Sequence, residues 1–259
     1  MNSQQYFPNL RRDRHRPGFT LVEILVVLGI IGLILSIALP VTFKARRQAS
    51  RTRALRDLEA LHIALDEFKN SHNVYPQIYY PFFTPNTDPK NAKNGAQLLY
   101  AALVGIDQQG NKIVEPKSNR PIGAMINVEN FQVTAVNGNR TINDSNGKPY
   151  LYFPGTVPSP DITKKIGAIG LFVSTNATRL APNPLYNFSD APTGTLSLAD
   201  MQSILGDTNK DGMINPGETA SSTAPYLLWA AGPDGTFGLD TNKKTDDVTS
   251  FEIPAQFVR

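Results

Sequence analysis

The chain has no cysteine, one tryptophan and three histidines in 259 residues. Without cysteine there is no disulfide, no thiolate metal site and no cysteine nucleophile. The histidines are His15, His62 and His72, so everything beyond residue 72 lacks the imidazole needed for Ser-His-Asp catalysis or a histidine-bound zinc. No glycine loop of the phosphate-cradling kind occurs. Only carboxylate chemistry remains for an enzyme, and the carboxylates fall in metal-loop spacing, so the chain is read as non-enzymatic. The lack of cysteine suits either side of a membrane.

The chain also lacks an even spread of charge. There are 25 basic and 22 acidic residues, net +3. Residues 1–18 carry Arg11, Arg12, Arg14 and Arg16 against Asp13, which accounts for the whole excess. Lys44, Arg46, Arg47, Arg51, Arg53 and Arg56 then form a block containing no acid. Beyond Arg56 the balance is 15 basic to 20 acidic residues. A nucleic-acid reading based on the sequence pI of about 9.0 is therefore excluded for the body of the protein.

Between these two basic segments lies the one long apolar run. Phe19 to Leu39 is twenty-one residues with a single charge, Glu23. At about 1.5 Å per residue such a helix reaches roughly 30 Å, the thickness of a bilayer core. A carboxylate inside such a run is costly and usually functional. The apolar segment follows Gly18 instead of preceding a small-residue cleavage site, which is not the layout of a secretory signal peptide. By the positive-inside rule, six basic residues after the span slightly outweigh four before it.

Gly18-Phe19-Thr20-Leu21-Val22-Glu23 resembles the processing site of type IV prepilins and type II secretion pseudopilins. The resemblance implies cleavage after Gly18 by a prepilin peptidase on the cytoplasmic side, N-methylation of Phe19, and a role for Glu23 in assembly. It also places residues 1–18 in the cytoplasm, against the charge count.

Beyond the run, Leu55, Leu58, Leu61, Leu65 and Phe68 recur at steps of three and four, an apolar stripe on one helical face. Pro40 predicts a kink or local opening. The helix is expected to end near 71–73, before Val74-Tyr75-Pro76. A loop over 76–95 and a short helix over 95–104 follow. Strands are expected at 122–128, 131–136, 150–153, 168–173 and 226–231, with a tight turn at Asn137-Gly138. The segment 144–152 partly resembles a turn-plus-strand motif of major pseudopilins, with Asn146 where the motif has tryptophan. Residues 154–200 read as an insertion.

Two acidic loops carry the remaining chemistry. Residues 207–218 match the twelve-position calcium loop: Asp207, Asn209 and Asp211 at positions one, three and five, Gly212 at six, the Met213 carbonyl at seven, Asn215 at nine and Glu218 at twelve. A helix over 198–205 can precede the loop, but 220–225 is a poor second helix. The alternative is a solvated turn without metal. Residues 232–249 follow an apolar strand and resemble the C-terminal calcium loop of major pseudopilins. That resemblance implies Asp234, Asp246 and Asp247 as ligands; a polar hairpin is the alternative.

The expected fold is α+β: a long N-terminal helix, transmembrane in one half and amphipathic in the other, packed on an antiparallel β-sheet domain with long loops. The expected division is 1–18 leader, 19–39 assembly helix, 40–75 amphipathic continuation and 76–259 periplasmic globular domain. The resemblance implies a structural subunit of an inner-membrane secretion pseudopilus with calcium as cofactor. The implied partners are the prepilin peptidase and N-methyltransferase, copies of itself, other pseudopilins, the secretion assembly platform and membrane lipid; no nucleic acid is expected. The other readings are a minor pilin of a surface fibre, for adhesion or DNA uptake, and a membrane-anchored calcium-dependent binding module. The basic block 44–56 suits either acidic neighbouring subunits or lipid phosphates.

Overall fold

The computed structural model describes residues 19–76, 94–115, 119–136, 138–154, 195–210, 217–219, 221–222 and 224–259. The leader, the strand expected at 168–173, most of the 76–95 loop and most of the 154–200 insertion lie outside these residues. The chain divides into two units, Met1–Ala45 and Arg46–Arg259.

In the first unit the described residues form the opening turns of α1 (Leu21–His72). All are exposed, from Phe19 through Phe43. Among the described residues α1 is the one helix long and apolar enough to cross a membrane. Pro40 lies inside it and the helix is continuous through it, contrary to the expected opening. Proline removes one backbone bond, and the rest of the 52-residue helix ladder continues on either side of it. The helix ends at His72, and Asn73 turns the chain with a left-handed φ of 62°.

The second unit contains the rest of α1, α2 (Gly95–Val104) and α3 (Leu198–Leu205). Its strands are β1 (Gln132–Val136), β2 (Asn139–Asn143), β3 (Leu151–Pro154), β4 (Tyr226–Ala230) and β5 (Val248–Thr249). β1 and β2 form an antiparallel hairpin closing at Val136↔Asn139. β3, β4 and β5 form an antiparallel sheet in the order β3-β4-β5. The expected strand over 122–128 is absent. Its backbone bonds go one at a time to neighbours, Ile122 N–H to Ile113 and Met125 N–H to Leu103, and Asn127 caps a 3-10 turn at Val128–Asn130. β2 was not expected, because its polar sequence lacks alternation; it forms by pairing with β1.

The three-stranded sheet is buried on both faces, and successive residues point to opposite sides. Tyr150, Tyr152, Tyr226, Leu228 and Ala230 join a core with Leu58, Leu61, Leu65 and Phe68 of α1 and the apolar residues of α2. Leu151, Phe153, Leu227 and Trp229 join a second core with Leu196, Met201, Ile204 and Leu205, flanked by Phe251, Ile253 and Phe257. α2 is buried on every side, which explains its near-absence of polar residues. Polar contacts also tie α1 to the rest of this unit. The Tyr150 hydroxyl donates to Asp57 at 2.8 Å, Ser50 meets Ser145 at 3.1 Å, and the Tyr226 hydroxyl meets His62 Nδ1. The Tyr75 hydroxyl, pushed up to about 12 by burial and by Asp66, donates to Asp66 at 2.9 Å.

Candidate assembly and metal-binding sites

Gly18 lies outside the described residues, and Phe19 is exposed just ahead of α1. The Thr20 amide and hydroxyl both donate to Glu23 Oε2, at 2.8 and 2.9 Å. The Glu23 amide donates back to Thr20 Oγ1 at 3.2 Å. Thr20 and Glu23 therefore make a reciprocal capping box, which satisfies amides that the first turn leaves without partners. The Thr-x-x-Glu spacing carries this cap as well as the assembly role that the resemblance implies.

The 207–218 loop begins where α3 ends. Ser197 caps α3 by accepting from the Asp200 amide, and Gly206 closes it in the left-handed region with φ 103°. Asp207 follows, fully buried. At the far end Glu218 Oε1 accepts from the Thr208 amide (2.8 Å), the Thr208 hydroxyl (2.6 Å) and the Asn209 amide (3.2 Å). Ser221 then returns to α3, its amide donating to the Leu205 carbonyl and its hydroxyl to that of Ile204. Position twelve of the loop thus closes onto positions two and three, while Asp211, Gly212, Met213 and Asn215 lie outside the described residues. Ser221, Ser222, Ala224 and Pro225 are not helical, as expected.

In the 232–249 loop each of the carboxylates of Asp234, Asp240, Asp246 and Asp247 has at least one oxygen engaged. Asp247 is buried, and its Oδ2 accepts from the Trp229 indole N–H and the Gly238 amide, both at 2.8 Å. Its Oδ1 is buried without a hydrogen bond, and burial pushes the carboxyl up to about 7. Asp246 Oδ2 accepts from the Asp234 amide at 3.2 Å. Asp234 Oδ1 accepts from the amide and hydroxyl of Thr236. Asp234 Oδ2 and Asp240 Oδ2 both take the Arg259 guanidinium, at 3.3 and 2.7 Å. Among the described residues no three His, Cys, Asp or Glu side chains converge as a metal site. Calcium requires six to eight oxygens at about 2.3–2.6 Å; in the 232–249 loop Arg259 takes one oxygen each of Asp234 and Asp240, and Asp247 Oδ1 stays buried without a hydrogen bond.

Two contacts across long stretches of sequence complete this region. Arg259 carried no local signal, because its partners lie 25 and 19 positions away. Asn146 donates to the Gly232 carbonyl at 2.9 Å, joining the 144–148 turn to the acidic loop. Gly232 has φ 65°, and a Cβ there would meet the Asp246 carbonyl oxygen at 2.2 Å, so glycine is required.

The prokaryotic N-terminal methylation motif family matches residues 13–39. The chain is similar to the type II secretion system core protein G of Vibrio cholerae, 32% identical over 94 residues, which cover 34% of this chain and 64% of that one. It is 38% identical over 65 residues to core protein G of Aeromonas hydrophila, covering 25% of this chain and 46% of that one. To core protein G of Pseudomonas aeruginosa it is 33% identical over 105 residues, 38% of this chain and 71% of the relative. The matched stretches of the Vibrio and Aeromonas relatives thus fall short of two thirds of their length. No solved structure matches the chain. With a third of positions identical across more than two thirds of the Pseudomonas protein, and the methylation motif at the head of α1, the chain belongs to the family of type II secretion system core protein G.

Proposed function

We propose that this protein is a structural subunit that polymerises through α1 into a periplasmic pseudopilus serving type II secretion. The observation that carries this reading is an exposed apolar helix headed by Phe19 and Glu23 and matching the methylation motif. In this reading a prepilin peptidase cuts after Gly18 and Phe19 is N-methylated. The span over 19–39 holds the subunit in the inner membrane as a single pass, with the second unit in the periplasm. The similarity to proteins named type II secretion system core protein G supports secretion over a surface fibre. Other pseudopilins, the assembly platform and membrane lipid are its partners, and its role is structural and not catalytic.

Assembly turns on Glu23. A carboxylate in a dry helical bundle needs a compensating charge, and the amine that cleavage creates at Phe19 of a neighbouring subunit supplies one. Pairing these groups imposes one axial offset between subunits. Calcium bound by the 207–218 loop stiffens the second unit; the return of Glu218 onto Thr208 and Asn209 supports that assignment. There the ion supplies a divalent charge for the loop oxygens, with Asp207, Asn209, Asp211, the Met213 carbonyl, Asn215 and Glu218 as its ligands.

The experiment is Glu23→Gln. Glutamine preserves a capping box and removes only the charge. The variant is expected to be processed to the same Phe19 N-terminus, read by mass spectrometry, and to lose filament assembly by at least tenfold. Normal assembly of a correctly processed Glu23→Gln subunit would show that the pairing is not the mechanism.

A further inference from the structure

We infer that the Arg259 guanidinium is the resident cation of the 232–249 loop, holding Asp234 and Asp240 together so that this loop closes without a divalent ion. The two arms of its fork reach one oxygen of each carboxylate, at 3.3 and 2.7 Å. A planar guanidinium is suited to clamping two acceptors in this way. Asp246 also lies within its electrostatic reach.

The arginine is placed by its backbone. Thr245 and Val258 form a parallel bridge, the Thr245 amide donates to the Phe257 carbonyl, and the Arg259 amide donates to the Thr245 carbonyl at 3.0 Å. Lys244 Nζ adds a bond to the Gln256 carbonyl at 2.9 Å. The same stretch that carries Asp246 and Asp247 therefore also aligns the segment delivering the cation. Of the other oxygens, Asp240 Oδ1 accepts from the Asn242 and Lys244 amides, Asp234 Oδ1 from Thr236, and Asp247 Oδ2 from Trp229 and Gly238, while Asp247 Oδ1 is buried without a hydrogen bond. A calcium ion ligated through Asp234 Oδ2 would have to displace the guanidinium from it. The family resemblance implies calcium at Asp234, Asp246 and Asp247; at Asp234 this chain places the Arg259 guanidinium.

The test is thermal unfolding of the full chain in detergent, in EDTA and in millimolar calcium. In EDTA, Arg259→Gln is expected to melt about 2–4 °C below the wild type, and calcium is expected to restore part of that loss. Arg259→Lys, which keeps the charge and loses the fork, is expected to melt between the two. Asp246→Asn in the wild-type background is expected to leave the calcium-induced shift unchanged. Either a halving of that shift by Asp246→Asn, or an Arg259→Gln variant that melts like wild type in EDTA, overturns the inference. A wild type with no calcium shift at all would sink the 207–218 calcium assignment instead, and leave the Arg259 clamp to be decided by the EDTA melts.

Discussion

Among single residues, Asp247 shows how one side chain organises a loop. It is buried beneath the turn it holds, and one oxygen serves both the Trp229 indole and the Gly238 amide. Removing it leaves two buried donors without acceptors, each costing about 1–3 kcal/mol. Asp247→Ala is therefore expected to destabilise the protein by about 2–4 kcal/mol in denaturant melts, and a loss below about 1 kcal/mol would contradict the role. Glu23 shows a residue with two demands on it. The spacing that marks it for assembly also makes it the N3 member of a capping box with Thr20, so an alanine variant confounds two functions that a glutamine variant separates.

The elements divide according to what their apolar faces meet. α1 carries two different patterns in one helix: apolar on all sides over 19–39, and striped beyond residue 54. The first gives side chains exposed throughout; the second gives Leu58, Leu61, Leu65 and Phe68 buried against α2 and the sheet. Leu61→Ala in the buried stripe is expected to cost about 2–5 kcal/mol. Leu33→Ala in the exposed run is expected to leave the melting temperature of the second unit within about 1 °C of wild type, because it opens no cavity there. Calorimetry on both variants checks the contrast, and equal losses would contradict the division. The sheet depends on two cores. β4 alternates Tyr226, Leu228 and Ala230 toward α1 and α2 with Leu227 and Trp229 toward α3, so all five of its residues are buried.

At the scale of the whole molecule, buried carboxylates set how stability responds to acid. Burial raises Asp57 above its ordinary value of 3.8, opposed by the Tyr150 hydroxyl and by Arg53. Asp144, on the turn before β3, is raised by burial as well. A raised carboxyl binds its proton more tightly when folded. Its contribution is thus complete below 3.8 and is lost as pH rises through the folded value. Asp57→Asn keeps an acceptor for Tyr150 and removes the titration. The stability of wild type relative to Asp57→Asn is expected to fall as pH rises from below 3.8 toward neutrality, measured as melting temperature against pH. A difference that stays flat would mean the charge is not penalised by burial. Asp107 and Asp240 are lowered by the hydrogen bonds they accept and act in the opposite sense, so the pairwise comparison is needed.

Much of this protein was readable from local pattern. The cleavage and methylation motif, the apolar run, the α1 stripe, the extents of α2 and α3 and the spacing of the 207–218 loop all lie within a few turns of chain, where periods of 3.6 and fixed ligand spacings act. Pairing across long stretches of sequence was not readable. β2 exists because β1 lies beside it, and 122–128 is not a strand because no ladder partner reaches it. Asn146 meets Gly232, and Arg259 meets Asp234 and Asp240, only after the sheet has brought them together. The sequence by itself determined which helix is available for a membrane or a filament, since that depends on composition along one continuous segment. Tertiary structure decided which cation holds the acidic loop, because that depends on the backbone bridge that delivers Arg259 to it.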